Sequence, residues 1–141
     1  AVRGQGAWVE HLDGTRIDLH VSIARPPREM LGIVSWLFMA EPLRSTVTRN
    51  LSRVGVAVDY RTAAHEYRLI AGGHYDFVMF GKMAPWDHLP GCLLHEEAGG
   101  YAACLDATPY TPASRTNAGL LCAPDIASWT ALRETLLHAL D

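Results

Sequence analysis

Along the chain the apolar positions switch between a period of two and a period near 3.6. Ala7, Trp8 and Val9 lead to Asp13-Gly14, after which Ile17, Leu19 and Val21 alternate with polar residues. Two strands joined by a tight turn are therefore expected over residues 1–21. Residues 22–29, with Pro26-Pro27, read as a connecting loop. Residues 32–39 form a continuous apolar run and predict a buried strand. Over 41–54, Leu43, Val47, Leu51 and Val54 fall on one face of a helix that opens with Glu41 and Pro42. Val56, Val58 and Tyr60 alternate as a short strand.

A second helix is expected over 61–71, closed by Gly72-Gly73, and an apolar strand over 75–80. The next helix opens at Pro85-Trp86-Asp87-His88 and stops at Gly99-Gly100. Asp87 can cap backbone N–H groups at its start. Pro90 has no N–H and suits a first turn, so this helix is expected to begin near Asp87. A strand over 101–105, a polar loop over 106–117 and a strand over 119–122 follow. The last helix starts at Asp125 or Ser128 and runs to Leu140, with Trp129, Leu132, Leu136 and Leu137 on one side. Strands alternating with helices predict an α/β fold, a mixed sheet flanked by helices, in one domain over residues 1–141.

Composition narrows the function classes. At 141 residues and 49% hydrophobic content the chain can bury a core. A net charge of −3 supplies no basic field and argues against nucleic acid as a partner. No apolar run approaches the roughly 20 residues of a membrane span. Cys92, Cys104 and Cys122 are widely spaced, which fits reduced thiols in a cytoplasmic core. The N-terminus, Ala-Val-Arg-Gly-Gln-Gly, is neither a signal peptide nor an initiator Met, so a piece of a longer protein is expected.

Chemistry concentrates at two helix starts. A helix N-terminus at Arg61-Thr62-Ala63 offers free N–H donors to an anion, and a guanidinium at Arg61 can grip it or point to solvent; on the residues alone, Thr62 reads as a cap. Glu96 and Glu97 point about 100° apart on a helix and cannot share an ion. Glu97 is expected to be structural. His95, one turn before its helix end, is expected to favour the dipole as an imidazolium. The seven histidines lack metal-ligand spacing and are expected at the surface or behind a site, with His88 placed next to Asp87.

Trp86-Asp87, a short segment, and then Glu97-Ala98-Gly99-Gly100 resemble the inositol monophosphatase family of metal-dependent phosphatases. Arg61-Thr62-Ala63-Ala64 stands where that family has Gly-Ser/Thr-Ala-Ala, and Asp76 matches its Gly-x-x-Asp position. Gly4-Gln5-Gly6-Ala7-Trp8 before Asp13-Gly14 matches a hairpin late in the family's domain. Asp13-Gly14-Thr15 is thus read as a turn, since the family's metal loop has another Asp where Glu10 stands. The resemblance covers nearly all of this chain but only the C-terminal half of the family's domain.

The resemblance implies the C-terminal α/β half of the layered sugar-phosphatase fold. It implies magnesium as cofactor, with Asp87 a metal ligand, and a substrate pocket lined by Arg61, Thr62 and Ala63. The family's other ligands, a Glu and the aspartates of an Asp-Pro-x-Asp-Gly-Thr loop, fall outside these residues, so the chain alone is expected to be inactive. The implied partners are a small phosphorylated metabolite and a second copy in a homodimer, with no nucleic acid and no membrane. Two departures stand out. Inositol phosphatases carry a hydroxyl-binding Glu seven residues before this Asp, where Phe80 stands, and Leu89-Pro90-Gly91 replaces small residues. Three readings stay open: a sugar or polyol phosphatase, a non-catalytic ligand-binding or dimerisation domain, and a phosphatase for nucleotide 3′-phosphates or fructose bisphosphate.

Overall fold

The structure is a computed structural model that describes residues 1–114 and 118–138. Its centre is β5, Phe77–Phe80, four residues buried on both faces. Beside it lie β3, Leu31–Val34, and β4, Val56–Val58; both pairings, β3 with β5 and β3 with β4, are parallel. On the other side β7, Leu120–Ala123, runs antiparallel to β5, and β6, Tyr101–Cys104, antiparallel to β7. The order is β4-β3-β5-β7-β6, a mixed sheet as the sequence pattern predicts. A separate hairpin pairs β1, Trp8–Glu10, with β2, Arg16–Asp18.

Alternation along the inner strands divides the core into two layers. Phe77, Met79 and Leu121 pack with Val47 of α1, Leu43–Asn50, and with Trp129, Leu132 and Leu136 of α4, Ile126–Leu136. Val78, Phe80, Leu120 and Cys122 pack with Tyr67 and Ile70 of α2, Ala63–Ala71, and Cys92 of α3, Pro85–Glu97. The three cysteines are free and buried. Asp125 caps α4, accepting from Ser128 N–H at 2.7 Å. Residues 115–117 of the polar loop and 139–141, including the expected helix end at Leu140, lie outside the described residues. No helix of the described residues is long and apolar enough to cross a membrane.

Several expectations are corrected. The apolar run over 32–39 is a strand only to Val34 and then turns through a 3₁₀ segment, Trp36–Phe38. Ser35 N–H still reaches Met79 O at 2.9 Å, but Leu37 and Phe38 are half exposed. The helix over 41–54 is α up to Asn50, whose buried amide donates to Leu136 O and His138 O and ties α1 to the end of α4. The segment Leu51–Arg53 is 3₁₀. The 1–21 hairpin closes over a longer loop, with His11 N–H bonded to Thr15 O. α3 begins at Pro85 rather than near Asp87, so Pro90 lies inside it and cannot bond the Trp86 carbonyl. Asp87 makes no side-chain cap there.

Glu97 is structural, as expected: its carboxylate accepts Gly4 N–H at 2.7 Å and Gly6 N–H at 2.8 Å, clamping the N-terminal segment to α3.

Candidate functional site

The parallel strands β3, β4 and β5 all deliver their carboxyl ends to one edge of the sheet, where open α/β sheets form ligand crevices. Helices α2 and α3 start at that edge. Between them lies a cavity of about 380 Å³. Ser35 follows β3 into its wall, Gly81 and Lys82 follow β5, and Arg61, Thr62 and Ala63 open α2. Asp87 and His88 come from the first turn of α3. All four residues singled out in the sequence, Arg61, Thr62, Ala63 and Asp87, therefore line one cavity.

The mouth of α2 is built under strain. Arg61 adopts φ +60°, a left-handed conformation rare for a side chain with a Cβ. Its N–H is held by Asp59 Oδ1 at 3.0 Å, and its guanidinium lies 5.9 Å from the centre of the Phe38 ring. Thr62 occupies the N-cap position, but its hydroxyl caps nothing in the helix and lies 3.4 Å from Tyr60 O. Its own N–H is taken by Glu66 Oε1 at 3.3 Å. The N–H groups of Ala63 and Ala64, in the first turn, are beyond any intrahelical carbonyl and carry the positive end of the helix dipole.

Behind the cavity stands a neutral histidine. His88 is buried, its Nε2 3.2 Å from Lys82 O and its Nδ1 3.2 Å from the Tyr67 hydroxyl. The carbonyl requires the proton on Nε2, so Nδ1 accepts from Tyr67. Burial lowers its pKa below the usual imidazole range, against the pull of the Lys82 carbonyl and Asp87. Phe80, buried, packs its ring 4.4 Å from the His88 ring. His88 thus stands behind the candidate site, one of the two places expected, whereas His95 is a core residue away from it. His95 is not the imidazolium expected from its place near a helix end. It is fully buried, donates from Nε2 to Ala123 O at 2.9 Å, and burial drops its pKa to about 4.

Glu66 is a charged lining residue that the sequence does not single out. It is fully buried, and desolvation raises its pKa even though the amides of Thr62, Arg61 and Tyr60 pull it down. A signal was available, because Glu66 follows Thr62 by four residues and shares its helix face.

Among the described residues, no three His, Cys, Asp or Glu side chains gather as a metal-holding group. Asp87 has the hard oxygen donors that magnesium prefers, but one exposed carboxylate is a fraction of the usual six-oxygen shell. The residues of this chain do not fit the ion by themselves.

A mixed sheet between two helical layers, with a cavity where two helix N-termini meet, defines a layered α/β domain. The chain belongs to the inositol monophosphatase family, whose sequence profile matches residues 1–141. It is 32% identical over 68 residues to the inositol-1-monophosphatase of Bacillus subtilis (strain 168), a match covering 48% of this chain and 26% of that protein. The extragenic suppressor protein suhB from Bartonella henselae superposes with a TM-score of 0.76 at 20% identity, over 96% of this chain and 52% of that one. SaIMPase-II, solved with inositol monophosphate bound, gives 0.76 at 19% identity over 96% and 50%. The chain spans about half the length of these solved structures.

Proposed function

We propose that this chain is the C-terminal, substrate-facing part of a magnesium-dependent phosphomonoesterase that acts on a small sugar or polyol phosphate. The observation that carries the reading is the convergence of Arg61, Thr62, Ala63 and Asp87 on one cavity at the starts of α2 and α3. In this reading the substrate phosphate sits at the first turn of α2. There the Ala63 and Ala64 N–H groups and the Arg61 guanidinium stabilise its charge. Asp87 would be the one magnesium ligand this chain contributes, and the ion, when bound, would supply charge neutralisation for phosphate oxygens and activation of water. The remaining carboxylates come from elsewhere in the whole protein. A cytoplasmic homodimer goes with the reading.

Arg61 and Lys82 in one cavity also favour a second reading, a substrate with two anionic groups such as a bisphosphate or a phosphorylated nucleotide. Phe80 favours it too, since it removes the carboxylate that would read an inositol hydroxyl. Pro90 within α3 and the same Phe80 are the features that a non-catalytic binding domain would tolerate most easily.

The test is phosphate release by the complete natural polypeptide, with and without magnesium, from inositol monophosphate, fructose bisphosphate and a nucleotide 3′-phosphate. Turnover should depend on magnesium and fall on the order of 100-fold or more in Asp87→Asn. Binding without turnover on every ester would establish the non-catalytic reading.

A further inference from the structure

Lys and Arg together number 12 in this chain, and Lys82 is the one lysine among them. It follows β5, lines the cavity on the side of α3, and is exposed. Among the described residues it makes no ion pair, with Asp87 or with any other carboxylate. Arg61, the second cation of the lining, stands on the α2 side, where its guanidinium lies 5.9 Å from the centre of the Phe38 ring. Two cations on different elements thus line one cavity, and only Arg61 lies at the helix start that a phosphate would occupy. The backbone under Lys82 is held from behind. Its carbonyl lies 3.2 Å from His88 Nε2, and His88 Nδ1 lies 3.2 Å from the Tyr67 hydroxyl. One residue earlier, a Cβ on Gly81 would collide with Met39, so the chain leaving β5 is closely packed. An ammonium on an anchored backbone meets an anion without the cost of ordering a loop at the same time.

We infer that Lys82 is a specificity-determining residue whose ammonium binds a second anionic group, phosphate or carboxylate, carried by the phosphate ester in the cavity. The inference rests on the phosphate-ester reading above and deepens its two-anion form, because it assigns the two anions to different residues. The ester phosphate goes to the first turn of α2 with Arg61. The second anion goes to Lys82, on the β5–α3 side. Lysine suits that task, since it meets an anion as a point charge with three donors and imposes no planar fork. An ester of a neutral alcohol leaves the ammonium in water and gains nothing from it. Arg61 therefore sets affinity for any phosphate ester; Lys82 sets which ester is preferred.

Calorimetric affinities of the complete polypeptide for two matched pairs test this: fructose 1,6-bisphosphate against fructose 1-phosphate, and 6-phosphogluconate against glucitol 6-phosphate. The wild type should prefer the doubly anionic member of at least one pair by roughly tenfold or more. Preference in the first pair identifies phosphate as the second anion, and preference in the second pair identifies carboxylate. Lys82→Gln should bring the ratio close to one, while Lys82→Arg, which keeps the charge, should retain most of it. Arg61→Gln should weaken both members alike. A direct readout comes from dimethylating lysine with carbon-13 formaldehyde and assigning the Lys82 signal by its loss in Lys82→Arg. That signal should shift with the doubly anionic member and stay in place with the other. Equal wild-type affinities in both pairs, a ratio unchanged in Lys82→Gln, or equal shifts with both members would overturn the inference and leave the phosphate-ester reading standing. No binding of any of the four compounds would overturn both. Phosphate release from the same samples is read separately. Discrimination through Lys82 without any hydrolysis would sink the phosphatase reading and leave Lys82 in its role.

Discussion

At the scale of single residues, two positions carry information that side-chain chemistry alone does not. Arg61 stands where the family has glycine, and its φ of +60° gives the reason: the turn into α2 needs a left-handed residue. Keeping arginine there costs on the order of 1–3 kcal/mol of strain, which a guanidinium at the cavity mouth offsets only by function. His95 is the second. Its imidazole bridges α3 to Ala123 of β7, and a Cβ on Gly100 would come within 2.2 Å of Nε2, so the glycine after the helix makes room for it. Its folded pKa of about 4 lies below the unfolded value near 6.5. The unfolded chain therefore takes the proton first as pH falls. Stability is complete above about pH 6.5 and declines toward pH 4, by about 3 kcal/mol from this group. Urea midpoints measured across that window should drop, and His95→Gln should flatten the drop. Burial of neutral His88 adds to the same slope. Glu66 acts oppositely, since its raised pKa is a contribution present in acid and lost as pH rises.

At the scale of elements, α3 is the one whose sequence and packing disagree. Its stop at Gly99-Gly100 is plain in the sequence, and its start at Pro85 is consistent with proline in a first turn. Pro90 contradicts the helix interior, because Trp86 loses its N–H partner. The next residue shows what α3 is built around. A Cβ on Gly91 would lie 2.1 Å from Tyr67 Cδ2, so α2 and α3 approach closely enough that only hydrogen fits. Gly91→Ala should push the helices apart and lower the urea midpoint by the equivalent of about 1–3 kcal/mol. Pro90→Ala, at the exposed neighbouring position, should leave stability unchanged or raise it by up to about 3 kcal/mol. If the two variants behaved alike, the close approach would not be what holds the pair. Because Tyr67 also bonds His88, the Gly91 change should disturb the cavity wall as well.

At the scale of the whole molecule, the sheet does the assembling. Three parallel strands end on one side, and the two helices that follow β4 and β5 begin there, so residues far apart in sequence meet at one cavity. Among the described residues, the same arrangement gives that cavity Asp87 as its one exposed carboxylate and Glu66 as its one buried one. The isolated 141-residue chain is therefore expected to release no phosphate from inositol monophosphate with magnesium. Magnesium-dependent turnover by the purified chain would show that the ligand set is complete within it.

Periodicity and punctuation were enough to read the α/β class and the alternation of elements, because each depends on local backbone preference. Punctuation marked Asp87 and the Arg61-Thr62-Ala63 turn only as helix starts; it was the family resemblance that made them candidate site residues. Where the pattern misled, burial competed with function or with another element. The apolar run leaves the sheet after Val34 for a 3₁₀ segment whose Phe38 lines the cavity, and Pro90 lies in a helix that packs through Gly91. Histidines 88 and 95 look polar in sequence and become core residues only when a neighbouring layer covers them. Glu66 is the clearest case. Its identity is local, but its unpaired oxygen exists only because the folded sheet encloses it, and desolvation is a property of the tertiary structure.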